Sequence, residues 1–201
     1  MAENFFDQVY KARNDAETRD LYDDWADQYD KVVLQEGYAT PARCAQALRT
    51  AMSDLDAPIL DFGCGTGLSG LALRLAGFNV IDGVDLSPSM LEVAREKGVY
   101  RNLTAIEAEE PIDGDYGAIA AIGVIGAGAA PLSALTRILD GLTPGMQFVF
   151  SFNDHTLEDP AFEDTVNRYI SDGTMQHLFR EHGDHLPGQD MKSTVYVLEK
   201  T

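Results

Sequence analysis

The densest chemical signal in the chain is Asp61-Phe62-Gly63-Cys64-Gly65-Thr66-Gly67. Pro58-Ile59-Leu60-Asp61-Phe62 reads as a short strand and Leu68 opens a helix, so the glycines fall on the turn between them. Glycine there allows a tight turn and close approach of a ligand to the backbone. The exposed N–H groups at a helix start favour a polar or anionic group. The dinucleotide fingerprint G-x-G-x-x-G needs a third glycine at position 68, where Leu68 stands. What the chain has is G-x-G-x-G, with an acid two residues before the first glycine. Asp85 follows Gly63 by 22 residues, at the end of a second strand. A doubly wound sheet places at that point the carboxylate that accepts both hydroxyls of a ribose. The alternative, a solvated acid at a helix start, is weakened because Ser87 already supplies that cap.

Residues so spaced need a sheet to hold them, and from Pro58 onward strands and helices alternate. Strands are expected at 58–62, 79–84, 103–106, 117–122 and 146–152, and the fourth is all small or branched, as in a strand covered on both faces. Leu68, Leu71, Ala72, Leu75 and Ala76 mark the expected buried face of the first intervening helix, which Gly77 ends. Ser87-Pro88 starts the next, and Leu132, Leu135, Ile138, Leu139 and Leu142 give another. Strands near 178–182 and 194–198, separated by Pro187-Gly188, read as a terminal hairpin. Before residue 58 the pattern is helical: Tyr22, Trp25, Tyr29, Val32 and Val33 recur at helical steps, and a second helix runs from Pro41 to about Leu55. The expected fold is α/β: a single-domain, Rossmann-like, doubly wound and mostly parallel seven-stranded sheet with an antiparallel C-terminal hairpin. Residues 1–57 form a helical leader and 58–201 the core.

The G-x-G-x-G turn behind an acid, with Asp85 at the second strand end, resembles the first motifs of class I S-adenosylmethionine-dependent methyltransferases. The resemblance covers about residues 22 to 152. It implies that Gly63, Cys64 and Gly65 pass under the methionine part of S-adenosylmethionine, that Asp85 takes the ribose, and that Leu86 and Met90 flank the adenine. It also implies an acid just past the third strand near the adenine amino group. Glu107 matches, Glu109 and Glu110 compete with it, and Ala108 and Ile122 complete the implied set. The stretch Tyr22 to Asp30 is similar to the leader of many small-molecule methyltransferases, where an aromatic closes over the cofactor. Tyr29 is the lid candidate, against the alternative that Tyr22, Trp25 and Tyr29 are one core stripe. Ile122-Gly123-Val124-Ile125-Gly126 and Phe148 to His155 look closest to methyltransferases named for the Williams-Beuren syndrome chromosomal region. One departure is that Tyr116 is followed by Gly117 where the family has Asp.

Fifteen basic residues against 33 acidic ones give a net charge of −18, which repels polyphosphate and anionic lipid. The nucleobase-amine motif Asn/Asp-Pro-Pro-aromatic and a Pro-Cys nucleophile are both absent from the sequence. The expected acceptor is therefore a small molecule, with neither nucleic acid nor membrane as partner. Gly117 to Thr136 is uncharged, but its glycines and Pro131 suit a buried strand and loop better than a membrane span. Cys44 and Cys64 alone, with no signal-peptide start, suggest a cytoplasmic protein. Methyl transfer from a sulfonium is an in-line displacement that needs a base only for a protonated acceptor. No catalytic residue is assigned. Asp154 and His155 are candidates by position, or simply a solvated loop pair. His177, His182 and His185 match no closed zinc spacing, so no metal is expected. They read as the rim of a cleft or a solvated turn. The rival functions are a cofactor-binding module without turnover and, less favoured, a nicotinamide oxidoreductase.

Overall fold

The computed structural model describes residues 15–112, 114–126 and 129–201. Seven strands form one sheet: β1 (Ile59–Phe62), β2 (Ile81–Asp85), β3 (Asn102–Ala105), β4 (Ala118–Ala121), β5 (Gln147–Asn153), β6 (Met175–Leu186) and β7 (Met191–Lys200). Their spatial order is β3-β2-β1-β4-β5-β7-β6. β1 pairs in parallel with β2 and β4, β2 with β3, and β4 with β5, while β7 runs antiparallel to both β5 and β6. The chain starts at the central strand and winds outward both ways. The C-terminal ends of β1, β2 and β4 therefore open on one edge, where such sheets form a crevice.

All four residues of β1 and of β4 are buried, as central strands covered on both faces must be. Leu60, Phe62, Ile119 and Phe150 face one layer, filled by Leu135, Ile138 and Leu139 of α5 (Leu132–Gly141). Ile59, Ala118, Ala120 and Val149 face the other, filled by Cys44 and Leu48 of α2 (Thr40–Ala51) and Leu73 of α3 (Leu68–Leu75). The leader thus divides: α2 belongs to a core layer, and only α1 (Asp15–Gln35) is left to reach elsewhere. The remaining helices are α4 (Pro88–Glu96), α6 (Asp154–Leu157) and α7 (Pro160–Ser171).

The sheet is the one expected, including the hairpin, although β6 begins at Met175 and the second helix stops at Ala51. Two readings are corrected. The buried face of α3 is Ser69, Gly70 and Leu73, while Leu71 is 37% and Leu75 80% exposed. A leucine period pointed to the wrong side because the inner side is small residues. Tyr100 packs so close that a Cβ on Gly70 would lie 2.3 Å from its ring. Helix α7 was not foreseen; its start is marked by Asp159, whose carboxylate accepts the N–H of Ala161 at 3.0 Å, followed by Pro160. The uncharged run 117–136 resolves into β4, a loop and the start of α5, and among the described residues no helix is long and apolar enough to cross a membrane. Phe5, Phe6 and Tyr10 of the leader lie outside the described residues.

Candidate functional site

Three left-handed glycines, Gly63 (φ 69°), Gly65 (φ 52°) and Gly67 (φ 90°), carry the chain from β1 into α3. At Gly63 a Cβ would sit 2.3 Å from Val124, so this glycine seats the turn against the loop after β4. At Gly65 a Cβ would meet no protein atom within 4 Å. The backbone there faces open cleft. Asp85 holds the turn from the side: one carboxylate oxygen accepts the Gly65 N–H at 2.7 Å, the other the Ser87 N–H at 2.9 Å. Burial pushes the Asp85 carboxyl above its ordinary range, and those N–H donors oppose the shift. Ser87 caps α4 as its sequence position demands, accepting the Met90 N–H at 3.0 Å.

Beneath the turn, Asp61 is fully buried and its Oδ2 accepts from Ser69 Oγ at 2.6 Å and from the Tyr100 hydroxyl at 2.7 Å. Its Oδ1 has no partner. Desolvation raises this carboxyl to about 6, opposed by the two hydroxyl donors. Burial also lifts the Cys64 thiol well above its usual range, so Cys64 presents its backbone rather than a thiolate.

Helix α1 roofs the cleft. Asp30 accepts from Thr66 Oγ1 at 2.5 Å and pairs with Lys97 at 2.7 Å, and Lys97 also donates to the Thr66 carbonyl at 2.6 Å. Two turns earlier, Asp23 accepts from the Ser87 hydroxyl and, at 3.3 Å, from the Ser89 N–H. These contacts fasten the helix to the turn and to the start of α4, and they bring Tyr22 and Tyr29, with ring centres 6.1 Å apart, to the cleft wall. Tyr22, Trp25 and Tyr29 are each half-buried, while Ala26 and Val33 of the same helix are buried.

The cleft holds about 990 Å³ of empty space, counting the part open to solvent. Gly63, Cys64, Gly65, Asp85, Leu86, Met90, Ala108, Ile122 and Tyr29 all line it. Glu107 does not. Its side chain is 78% exposed and pairs with Arg19 at 2.8 Å, while Glu109 and Glu110 are exposed as well. The apolar neighbours Ile106 and Ala108 line the wall there instead. Sequence reasoning missed Arg19, Tyr38 and Arg137, which also line the cleft. Tyr38 packs edge-on against His185, with ring centres 5.3 Å apart. His185 is not a solvated residue: it is buried, held by Thr40 Oγ1 at 2.8 Å, and desolvation lowers it to about 4, so it is neutral at pH 7. Asp154 and His155 are outside the lining. Asp154 accepts the Lys192 N–H at 2.9 Å, and His155 lies 3.6 Å from Glu158. Among the described residues no group of three potential metal ligands occurs.

A parallel sheet wound outward from β1, reversed only at β7, with a glycine turn facing a carboxylate across the crevice, defines the class I S-adenosylmethionine-dependent methyltransferase fold. The chain belongs to the methyltransferase domain family, whose profile matches residues 36–195. It is 36% identical to human methyltransferase-like protein 27 over 124 residues, 59% of this chain and 51% of that protein. It is 32% identical to the ribosomal protein L11 methyltransferase of Vibrio vulnificus over 149 residues, 69% of this chain and 48% of that protein. The chain thus spans about half the length of these curated relatives. Its fold is similar to that of a TehB-like S-adenosylmethionine-dependent methyltransferase from Corynebacterium glutamicum, with a TM-score of 0.59 at 20% identity, covering 94% of this chain and all of that one. S-adenosylmethionine is the cofactor of this family and fold.

Proposed function

We propose that the chain binds S-adenosylmethionine in this cleft and catalyses methyl transfer to a small-molecule acceptor. The observation that carries the reading is the open space over Gly65, a cradle that a Cβ would fill, next to a carboxylate at the end of β2. Each Asp85 oxygen has accepted one backbone donor and retains a lone pair, which fits a vicinal diol. Leu86 and Met90 from the β2–α4 junction, with Ala108 and Ile106 from beyond β3, supply apolar surface for a flat ring. Glu107 is not needed for that surface, and its pairing with Arg19 assigns it to the roof. When bound, S-adenosylmethionine supplies a methyl group already activated on a sulfonium. The chain's own task is alignment and exclusion of water, which α1 serves by covering the opening with Tyr22 and Tyr29.

A small acceptor is favoured because the cleft is walled by α1 on one side and by residues 122–124 and 129–131 on the other. The net charge of −18 adds a general repulsion of polyanions. The second reading, a binding module without turnover, is favoured by one observation: among the described residues the cleft lining holds no histidine, lysine or glutamate.

Calorimetry with S-adenosylmethionine, S-adenosylhomocysteine and NAD tests the cofactor assignment, with binding of the first two and none of NAD expected. Asp85→Ala should weaken S-adenosylhomocysteine by about 10- to 150-fold, or roughly 1.5–3 kcal/mol, in a protein that stays folded. Unchanged affinity would remove Asp85 from the site. A methyl-acceptor screen then separates the enzyme from the silent module.

A further inference from the structure

Among the described residues three charged ones line the cleft: Arg19, Asp85 and Arg137. Asp85 is assigned above to the turn and the ribose, and Arg19 is paired with Glu107 at 2.8 Å. Arg137, on α5, differs. Its Nε and Nη2 are shielded from solvent and have no hydrogen-bond partner, and no ion pair involves it among the described residues. Its guanidinium carbon lies 6.0 Å from the centre of the Phe62 ring, the last residue of β1. The residue as a whole is half-buried, and taking a charge partly out of water without a counter-ion is costly. In a chain with 33 acids to 15 bases, a half-buried arginine that pairs with no carboxylate among the described residues is a position open to an anion from outside. Its planar fork matches a carboxylate, with two parallel donors to two oxygens.

We propose that Arg137 binds a carboxylate on the methyl acceptor, so that the acceptor is a small apolar acid. The proposal rests on the cofactor assignment above and adds the acceptor's chemical class. The placement supports it. Asp85 and Leu86 lie at the end of β2, on one side of β1, whereas Arg137 belongs to the helix that follows β4, on the other side. Phe62 lies beside the guanidinium, and the cleft lining also includes the apolar Val124, Ala130, Pro131 and Ala134 from between β4 and α5 and from α5 itself, which suits an aliphatic or aromatic body behind the acid group. The other carboxylate that could reach this arginine is that of the cofactor's own amino-acid part, and the experiment separates the two sources.

Wild type, Arg137→Leu and Arg137→Lys are first titrated with S-adenosylhomocysteine. Failure of wild type to bind it would overturn the cofactor reading itself. With that binding in place, both variants should bind it within threefold of wild type. A tenfold loss in Arg137→Leu would assign the arginine to the cofactor's carboxylate and overturn the proposal. The S-adenosylhomocysteine-loaded proteins are then melted with benzoate, 4-hydroxybenzoate and phenylacetate, with benzamide as the uncharged control and inorganic phosphate as a non-planar anion. The carboxylates should raise the melting temperature of wild type above the benzamide value. Arg137→Leu should lose that difference, and Arg137→Lys should keep part of it. If no carboxylate exceeds benzamide in wild type, if phosphate alone stabilises, or if Arg137→Leu responds as wild type does, the assignment fails. Circular dichroism of both variants shows whether each is folded, and the lysine variant keeps the test valid if the leucine variant does not fold.

Discussion

Asp61 lies under the glycine turn with no exposed surface and one oxygen unpartnered, and burial raises it from an ordinary 3.8 to about 6. A carboxyl raised on folding holds its proton more tightly in the native state. Its stabilising contribution is complete below the unfolded value near 4 and is lost as pH rises through about 6, by roughly 3 kcal/mol. Asp61→Asn has no proton to lose. The unfolding free energy of wild type should therefore fall relative to Asp61→Asn by roughly that amount between about pH 4 and pH 6.5, measured by urea titration. A difference that stays flat would mean the carboxyl ionises freely in place. Asp85 and the glycines could be placed from sequence because their positions follow from chain direction along two neighbouring strands. Glu107 could not, because a residue just past a strand end turns toward whichever partner is near, and Arg19 is 88 positions away.

Helix α1 shows what spacing conveys and what it leaves open. Tyr22-Asp23 and Tyr29-Asp30 are seven residues apart, two helical turns, so both pairs fall on one side. The tyrosines line the cleft and the aspartates grip Ser87, Ser89, Thr66 and Lys97. A helix that buries Ala26 and Val33 but otherwise lies at a ligand opening, gripped by polar contacts, is suited to gating. Amide exchange across residues 15–35 should slow when S-adenosylhomocysteine is added, and the single tryptophan, Trp25, should change its fluorescence. Asp23→Ala combined with Asp30→Ala should speed exchange in the ligand-free helix while β1 and β4 stay protected. Equal protection with and without ligand would identify α1 as a permanent part of the fold. The α3 face teaches the opposite lesson: exposed Leu71 and Leu75 mimicked a buried period, because Ser69 and Gly70 had to be small to admit Tyr100.

At the scale of the whole molecule the excess of acid is unbalanced, with 33 acidic residues against 15 basic, and self-repulsion works against the compact state. Added sodium chloride screens that repulsion over about 10 Å at 0.1 M. The melting temperature should rise by a few degrees between about 10 mM and 0.3 M salt, each 1 kcal/mol moving it by about 2–4 °C in a domain of this size. A flat or falling value would show that local pairs such as Arg101–Asp82 and Lys97–Asp30 outweigh the general repulsion.

The order of strands and helices, the glycine turn and Asp85 were legible in the residues, because a strand's burial on two faces and a helix's cap are local properties written in short stretches. The hairpin was legible for the same reason, from Pro187-Gly188 and the alternation after it. What only the tertiary structure decided are the relations between distant segments. These are α2 as core rather than lid, Arg19 claiming Glu107, His185 buried behind Tyr38, and Arg137 beside Phe62 with no counter-ion among the described residues. Such relations depend on which side chains share a space after the chain has closed, and residues that meet across 75 positions, as Phe62 and Arg137 do, leave no mark in the spacing of either neighbourhood.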